Sequence, residues 1–269
     1  MPIEQELTKK IVNRECYNAT RHKVGAIMRT DHNLDRLPLL KDAINSLLRL
    51  PIISLIHILI YTDEDKGLFR NELIKEFGAE RKRVTFDEVG VGCFYTDILN
   101  DAINEQTRQG IDYSLVLSPE AHLYITKENV EKLLNAAKQG SYFTTLALNE
   151  YKHLIEMGCP VTALTLYKNT AVNFTNVWKI GATVKGTDME ENSYGMSEIY
   201  VAKNLLNNFG NGSIVIVEPS GGHLIESDDA KSKQWREQVM ATKEERFKKM
   251  CALLQIDINE LKMNITYLK

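Results

Sequence analysis

Side chains able to do chemistry are few in this chain, and they cluster in short polar segments that follow apolar runs. Thr62-Asp63-Glu64-Asp65-Lys66-Gly67 follows one such run, Ser118-Pro119-Glu120 a second, and Ser220-Gly221-Gly222-His223 a third, while Glu198 begins a helical stretch. A carboxylate partly shielded from water can have its pKa raised into the range of a general base. Each segment also has a plainer reading. An acidic turn closing on glycine is ordinary loop chemistry, a glutamate in a first helical turn is favoured by the helix dipole, and a histidine among glycines can simply be exposed. Gly90-Val91-Gly92 brings backbone amides to a helix start but lacks the full spacing of a phosphate-binding glycine loop.

The elements that would carry these residues are set by hydrophobic period. Lys23-Val-Gly-Ala-Ile-Met28 reads as a strand that stops at polar Arg29-Thr30. Leu39, Leu40, Ala43, Leu47 and Leu48 fall at helical spacing across 37–50, and Pro51, unable to donate into the ladder, ends that helix. Strands are expected at 56–61, 83–86 and 112–117, and helices at 68–77 and 94–109, the last with Ile98, Ala102 and Ile103 as its apolar stripe. Thr126 is the expected N-cap of a helix reaching Ala137. Further strands at 142–148, 161–167 and 213–217, a helix at 197–209 ended by Gly210, a charged helix at 242–254 and a shorter one after Asp257 complete the reading; 169–179 stays unassigned. The alternation predicts an α/β fold, a mostly parallel central sheet flanked by helices with a C-terminal helical extension. Its expected divisions are an N-terminal helical segment at 1–22, the α/β domain at 23–220 and the extension at 221–269. Ligands collect at the carboxyl ends of strands in such sheets, which places Arg29, Thr30, Asp63 and Asp65 to line a pocket.

Composition narrows the class. The chain has 269 residues, 43% hydrophobic and 26% charged, enough to bury a full core. A net charge of -3 gives no broad electrostatic case for nucleic acid. Cys16, Cys93, Cys159 and Cys251 are scattered, without metal-ligand or disulfide spacing, and read as reduced thiols. The N-terminal stretch is charged and amphipathic and the longest apolar run is too short for a bilayer, so a cytoplasmic protein without a transmembrane segment is expected. The charged run Lys243 to Lys249 reads as a solvated helix face in preference to a docking surface.

Taken in order from Lys23 to Pro219, these segments resemble the inverting family-2 type of glycosyltransferase, with a GT-A fold. The matching features are Ile44-Asn-Ser-Leu47 closing the first helix, the acidic loop Asp63-Glu64-Asp65, Ile98-Leu-Asn100 in a later helix, and Ser118-Pro-Glu120 where the family carries its Asp-x-Asp motif. Gly195-Met-Ser-Glu198 resembles the family's acidic helix start near the acceptor. The resemblance implies a nucleotide-sugar donor held by Arg29, Thr30, Asp63, Asp65 and Asn100, and Mn²⁺ or Mg²⁺ held by Glu120 with His223. It further implies Glu198 as the base that takes the acceptor proton, with Asp188, Glu190 and Glu191 as other candidates. The acceptor is not specified, and homo-oligomerisation is left open. Loss of the first motif carboxylate at Ser118 motivates an alternative, a catalytically inactive GT-A-fold binding or scaffold protein. A sugar-nucleotide pyrophosphorylase ranks last, because Ile27-Met-Arg-Thr-Asp31 replaces the glycine-rich loop such enzymes carry.

Overall fold

Runs of β-branched and leucine residues form the strands, and the polar-apolar stretches between them form helices that cover both faces. In the computed structural model the described residues are 22–31, 33–62, 66–90, 95–160, 163–171, 197–224 and 230–269. The first half alternates regularly: β1 (Val24–Asp31), α1 (Leu37–Leu48), β2 (Ile53–Thr62), α2 (Lys66–Phe77), β3 (Val84–Gly90), α3 (Tyr95–Arg108) and β4 (Tyr113–Leu117). Then follow α4 (Lys127–Lys138), β5 (Phe143–Leu146), the short α5 (Lys152–Glu156), β6 (Leu164–Lys168), α6 (Ser197–Phe209), β7 (Ile214–Val217), α7 (Ala230–Leu253), α8 (Ile258–Asn264) and β8 (Thr266–Leu268). Thr126 does cap α4, its Oγ1 accepting from the Asn129 N–H at 3.1 Å. No described helix is long and apolar enough to cross a membrane.

Among the described residues the strands form one eight-stranded sheet in the order β3-β2-β1-β4-β6-β5-β7-β8. β6 alone runs antiparallel, against β4 on one side and β5 on the other. The fold is therefore the expected mostly parallel α/β sheet flanked by helices. The C-terminal helices return a last strand, β8, to the edge of the same sheet beside β7.

Strand alternation sorts the core into two clusters, one on each face. Val24, Ala26, Met28, Ile56, Ile58, Ile60, Leu115 and Leu117 pack with α1, α2 and α4, whereas Ile27, Leu59 and Val116 pack with α3, α6, α7 and α8. Gly25 lies under the Gln106 side chain of α3. A Cβ there would sit 2.4 Å from Oε1 of the fully buried Gln106, whose Nε2 donates to the Ala26 carbonyl at 2.9 Å and whose Oε1 accepts from Ser114 Oγ at 2.7 Å.

The order of strands fixes where a ligand can enter. From β1 the chain builds outward through β2 and β3, then crosses back to place β4 on the other side of β1, so the topological switch lies between β1 and β4. Met28 pairs with Leu117, the last residue of β4, but β1 continues to Asp31 beside Tyr61 of β2. At about 3.3 Å per residue, β1 and β2 thus overhang β4 by about 10 Å. Hydropathy ends β1 at Met28; backbone pairing with β2 carries it further, through Arg29 and Thr30.

Candidate functional site

Two chain segments leave the switch point. From β1 the chain turns through the 3-10 helix Leu34–Arg36 into α1, anchored by the Asn33 side chain, which accepts from the Asp35 N–H at 3.0 Å. From β4 it passes Ser118 and enters a second 3-10 helix, Pro119–Tyr124, whose first position suits proline because that N–H would lack a helical partner. This second 3-10 helix packs against α1.

The two segments are joined by an ion pair. Arg36 Nη2 donates to Oε1 of Glu120, and the Ser118 hydroxyl donates to Oε2. Both side chains are largely withdrawn from water, with exposures of 27% for Arg36 and 15% for Glu120. A carboxylate and a guanidinium therefore join the segments that leave β1 and β4, the position where open α/β sheets bind ligands.

A second set of contacts holds the loop after β7 against the same segment. Tyr124 is fully buried, and its hydroxyl donates to Oε2 of Glu150 at 2.9 Å. The other oxygen of Glu150 accepts from the Leu224 N–H at 2.7 Å. Buried Asn129 donates from Nδ2 to the Tyr124 carbonyl at 3.0 Å and accepts at Oδ1 from the Ser220 N–H at 2.7 Å. Burial, then the hydrogen bond to Glu150, pushes the Tyr124 phenol up to about 12. Gly222 rests on the Tyr124 ring at a φ of 102°, a conformation that glycine alone adopts cheaply. β4, β5 and β7 all point their carboxyl ends to this edge, which is why residues distant in sequence meet here.

The sequence candidates distribute as follows. Glu120 lies at the switch point, and the loop bearing exposed His223 is held through Glu150 to Tyr124, in the same 3-10 helix as Glu120. Arg29 and Thr30 share the overhang of β1 but face opposite sides of the sheet, Arg29 exposed and Thr30 buried. Asn100 is half-buried in α3. Glu198 is half-buried in the first turn of α6, on the α3 side of the sheet. Since α6 packs on β7 and feeds its amino end, the N-terminus of α6 lies toward the carboxyl edge. There Glu198 comes near Cys159, a thiol pushed well up by burial first and by the Glu198 charge second. Asp63, Asp65, Asp188, Glu190, Glu191 and the Val91-Gly92 loop lie outside the described residues.

Sequence reasoning missed Arg36, Tyr124, Asn129 and Glu150. Nothing in their spacing marks them; each acts through partners between 5 and 91 positions away.

The donor set limits what a cation would find. Among the described residues no group of three or more His, Cys, Asp or Glu side chains is placed to hold a metal. A fully protein-ligated ion does not fit these residues. An ion carried mainly by phosphate oxygens with one carboxylate does, which is a common mode for Mg²⁺ and its relatives.

Comparison by sequence finds no matching family model and no matching curated protein. Comparison by structure does find relatives. Glucosyl-3-phosphoglycerate synthase from Mycobacterium tuberculosis, in complex with phosphoglyceric acid, superposes with a TM-score of 0.52 at 14% identity over 86% of this chain and 82% of its own. The same synthase with Mn²⁺, UDP and phosphoglyceric acid gives 0.51 at 14% identity, over 86% of this chain and 80% of its own. The fold is that of the GT-A nucleotide-diphospho-sugar transferases. A mannosyltransferase from Pyrobaculum calidifontis, in complex with GDP-mannose and Mn²⁺, gives 0.51 at 11% identity over 80% of this chain, which spans 60% of that enzyme's length. At such identities the GT-A likeness is one of fold.

Proposed function

We propose that this GT-A-fold chain is a glycosyltransferase of the inverting family-2 type, moving a sugar from a nucleotide donor to an acceptor by direct displacement. The observation that carries the reading is the pair of charged side chains, Arg36 and Glu120, joining the segments that leave β1 and β4 at the topological switch of the sheet. In this reading Arg29, Thr30, Asp63, Asp65 and Asn100 surround the nucleotide. Glu120, with His223 from the clamped loop, faces the diphosphate and a divalent cation, Mn²⁺ or Mg²⁺, that travels with it. When bound, that cation would supply neutralisation of the leaving diphosphate. The acceptor oxygen bonds to the anomeric carbon as the bond from that carbon to the diphosphate oxygen breaks. The electron pair leaves with the nucleoside diphosphate, and Glu198 takes the acceptor proton. Residues 23–220, joined by His223 from the loop just beyond them, carry the site in this proposal.

Calorimetric titration of the purified chain with UDP- and GDP-linked sugars, with and without Mn²⁺, tests the reading. Saturable binding of one donor class, strengthened by Mn²⁺ in the wild type and with that Mn²⁺ gain lost in Glu120→Ala, is the expected result. Absence of binding to any donor under either condition would sink it and leave the non-catalytic alternative.

A further inference from the structure

Glu120 poses an electrostatic difficulty for any anionic ligand in the crevice, because a carboxylate at the switch point repels phosphate unless a cation offsets it. The cation already in contact with it is Arg36. We propose that Arg36 is a switchable phosphate-binding group: it rests on Glu120 in the free protein and passes to the phosphates of a nucleoside diphosphate when one enters between β1 and β4. This inference rests on the nucleotide-sugar reading above and deepens it, by naming the group that receives the diphosphate and a competition that governs its entry.

The local construction suits a side chain that moves on a fixed base. The Arg36 backbone is held, its N–H donating to the Asn33 carbonyl at 3.0 Å, and the residue stands at the junction of the 3-10 turn with α1. The guanidinium stands at the end of a long unbranched side chain, so it can change partner while the backbone stays in place. On the other side Glu120 is held independently of Arg36 by the Ser118 hydroxyl, two residues away. Departure of the guanidinium therefore leaves the carboxylate in position. A guanidinium also matches phosphate as well as it matches carboxylate, since its planar fork can donate in parallel to two oxygens of either.

The exchange has a cost that identifies it. Once Arg36 has moved, Glu120 is left with its charge uncompensated beside a second anion. A divalent cation held by Glu120 would offset that charge, so metal and nucleotide would favour one another's binding. Removing the Glu120 charge by substitution removes the same cost without metal.

Binding of UDP, GDP and inorganic pyrophosphate is measured by calorimetry in EDTA and in Mn²⁺, for the wild type, Arg36→Gln, Arg36→Lys and Glu120→Gln. In EDTA, Arg36→Gln is expected to weaken nucleoside diphosphate binding by about tenfold or more, the scale of one charge-assisted hydrogen bond. Arg36→Lys recovers part of that loss. Glu120→Gln is expected to tighten metal-free binding by about tenfold and to abolish the gain that Mn²⁺ gives the wild type. An ion pair that merely braces the two loops gives no such tightening. The switch is overturned if Glu120→Gln leaves metal-free binding unchanged or weakens it, or if Arg36→Lys and Arg36→Gln both bind as the wild type does. Arg36-dependent binding of pyrophosphate without binding of UDP or GDP supports the switch while overturning the nucleotide reading. Wild-type protein that binds none of the three ligands in either condition overturns both.

Discussion

A Cβ placed on Gly222 would lie 2.5 Å from Cδ1 of Tyr124. The loop after β7 thus reaches its position only because residue 222 has no side chain and adopts a φ of 102°. Gly222→Ala is expected to lower stability by about 2–4 kcal/mol, combining backbone strain with displacement of a buried ring. Gly221→Ala is the control: its φ of 78° carries strain, but nothing lies within 4 Å of its added carbon. That variant should lose only about 1–2 kcal/mol. Urea denaturation of both variants measures the difference, and equal losses would show that the Tyr124 contact is unimportant.

The Tyr124 phenol also links this loop to pH. Its pKa rises from 10.0 to about 12, through burial and then the hydrogen bond to Glu150. A raised folded-state value means that the folded protein holds the proton longer than the unfolded chain does. Stability from this group is complete below pH 10 and is lost as pH climbs through 12. Cys251 acts in the same sense one step earlier, its thiol pushed by burial from 9.0 to about 11. Denaturation midpoints should therefore fall steadily from pH 9 upward. In Tyr124→Phe the decline between pH 10 and 12 should be shallower than in the wild type, although its starting stability is lower by about 1–2 kcal/mol. An unchanged alkaline slope would remove Tyr124 from the account.

Particular residues show what the sequence could and could not announce. Leu39 to Leu48, the Ile98, Ala102, Ile103 stripe and the Thr126 cap follow from local spacing, and each falls in the expected element. The order of strands and helices is legible for the same reason. The direction of β6 is not, because Leu164–Lys168 is buried along nearly its whole length and a buried run reads alike in either orientation. β8 is missed because a three-residue exposed strand has no period to detect. At the site, Glu120 could be found from its place after an apolar run. Its partner Arg36 could not, since the pairing arises from β1 and β4 becoming neighbours across a crossover of 84 positions.

Gly25 carries a similar hidden constraint inside the sheet. Gly25→Ala must push aside the Gln106 carboxamide, which lies within 2.4 to 2.7 Å of the added carbon. Two buried hydrogen bonds go with it, one to the Ala26 carbonyl and one from Ser114. A loss of about 2–4 kcal/mol is expected for the single variant. In a Gln106→Ala background the obstruction and both bonds are already gone, so adding Gly25→Ala should cost clearly less. Chemical denaturation of the four proteins gives the coupling, and strictly additive losses would show that Gln106 is not the cause.

Glu198 is where the proposed reaction and plain helix chemistry make different demands. A carboxylate in the first turn of α6 is favoured by the helix dipole whatever the protein does. If that is its whole role, Glu198→Gln lowers stability by about 0.3–1 kcal/mol and leaves turnover alone. A base that removes the acceptor proton behaves otherwise. Glu198→Gln should then reduce kcat by about 10²–10⁴-fold, while the dissociation constant for the nucleotide sugar stays near the wild-type value, because the proposed mechanism assigns the donor to other residues. The pH profile separates the two further: a base active only when deprotonated imposes an acid-side fall in kcat, and that limb should disappear in the glutamine variant. Measurement requires an acceptor, for which simple sugars, sugar phosphates and glyceric acid phosphates can be screened with the wild type by release of nucleoside diphosphate. Wild-type turnover retained in Glu198→Gln would move the search for the base to the carboxylates at 188, 190 and 191.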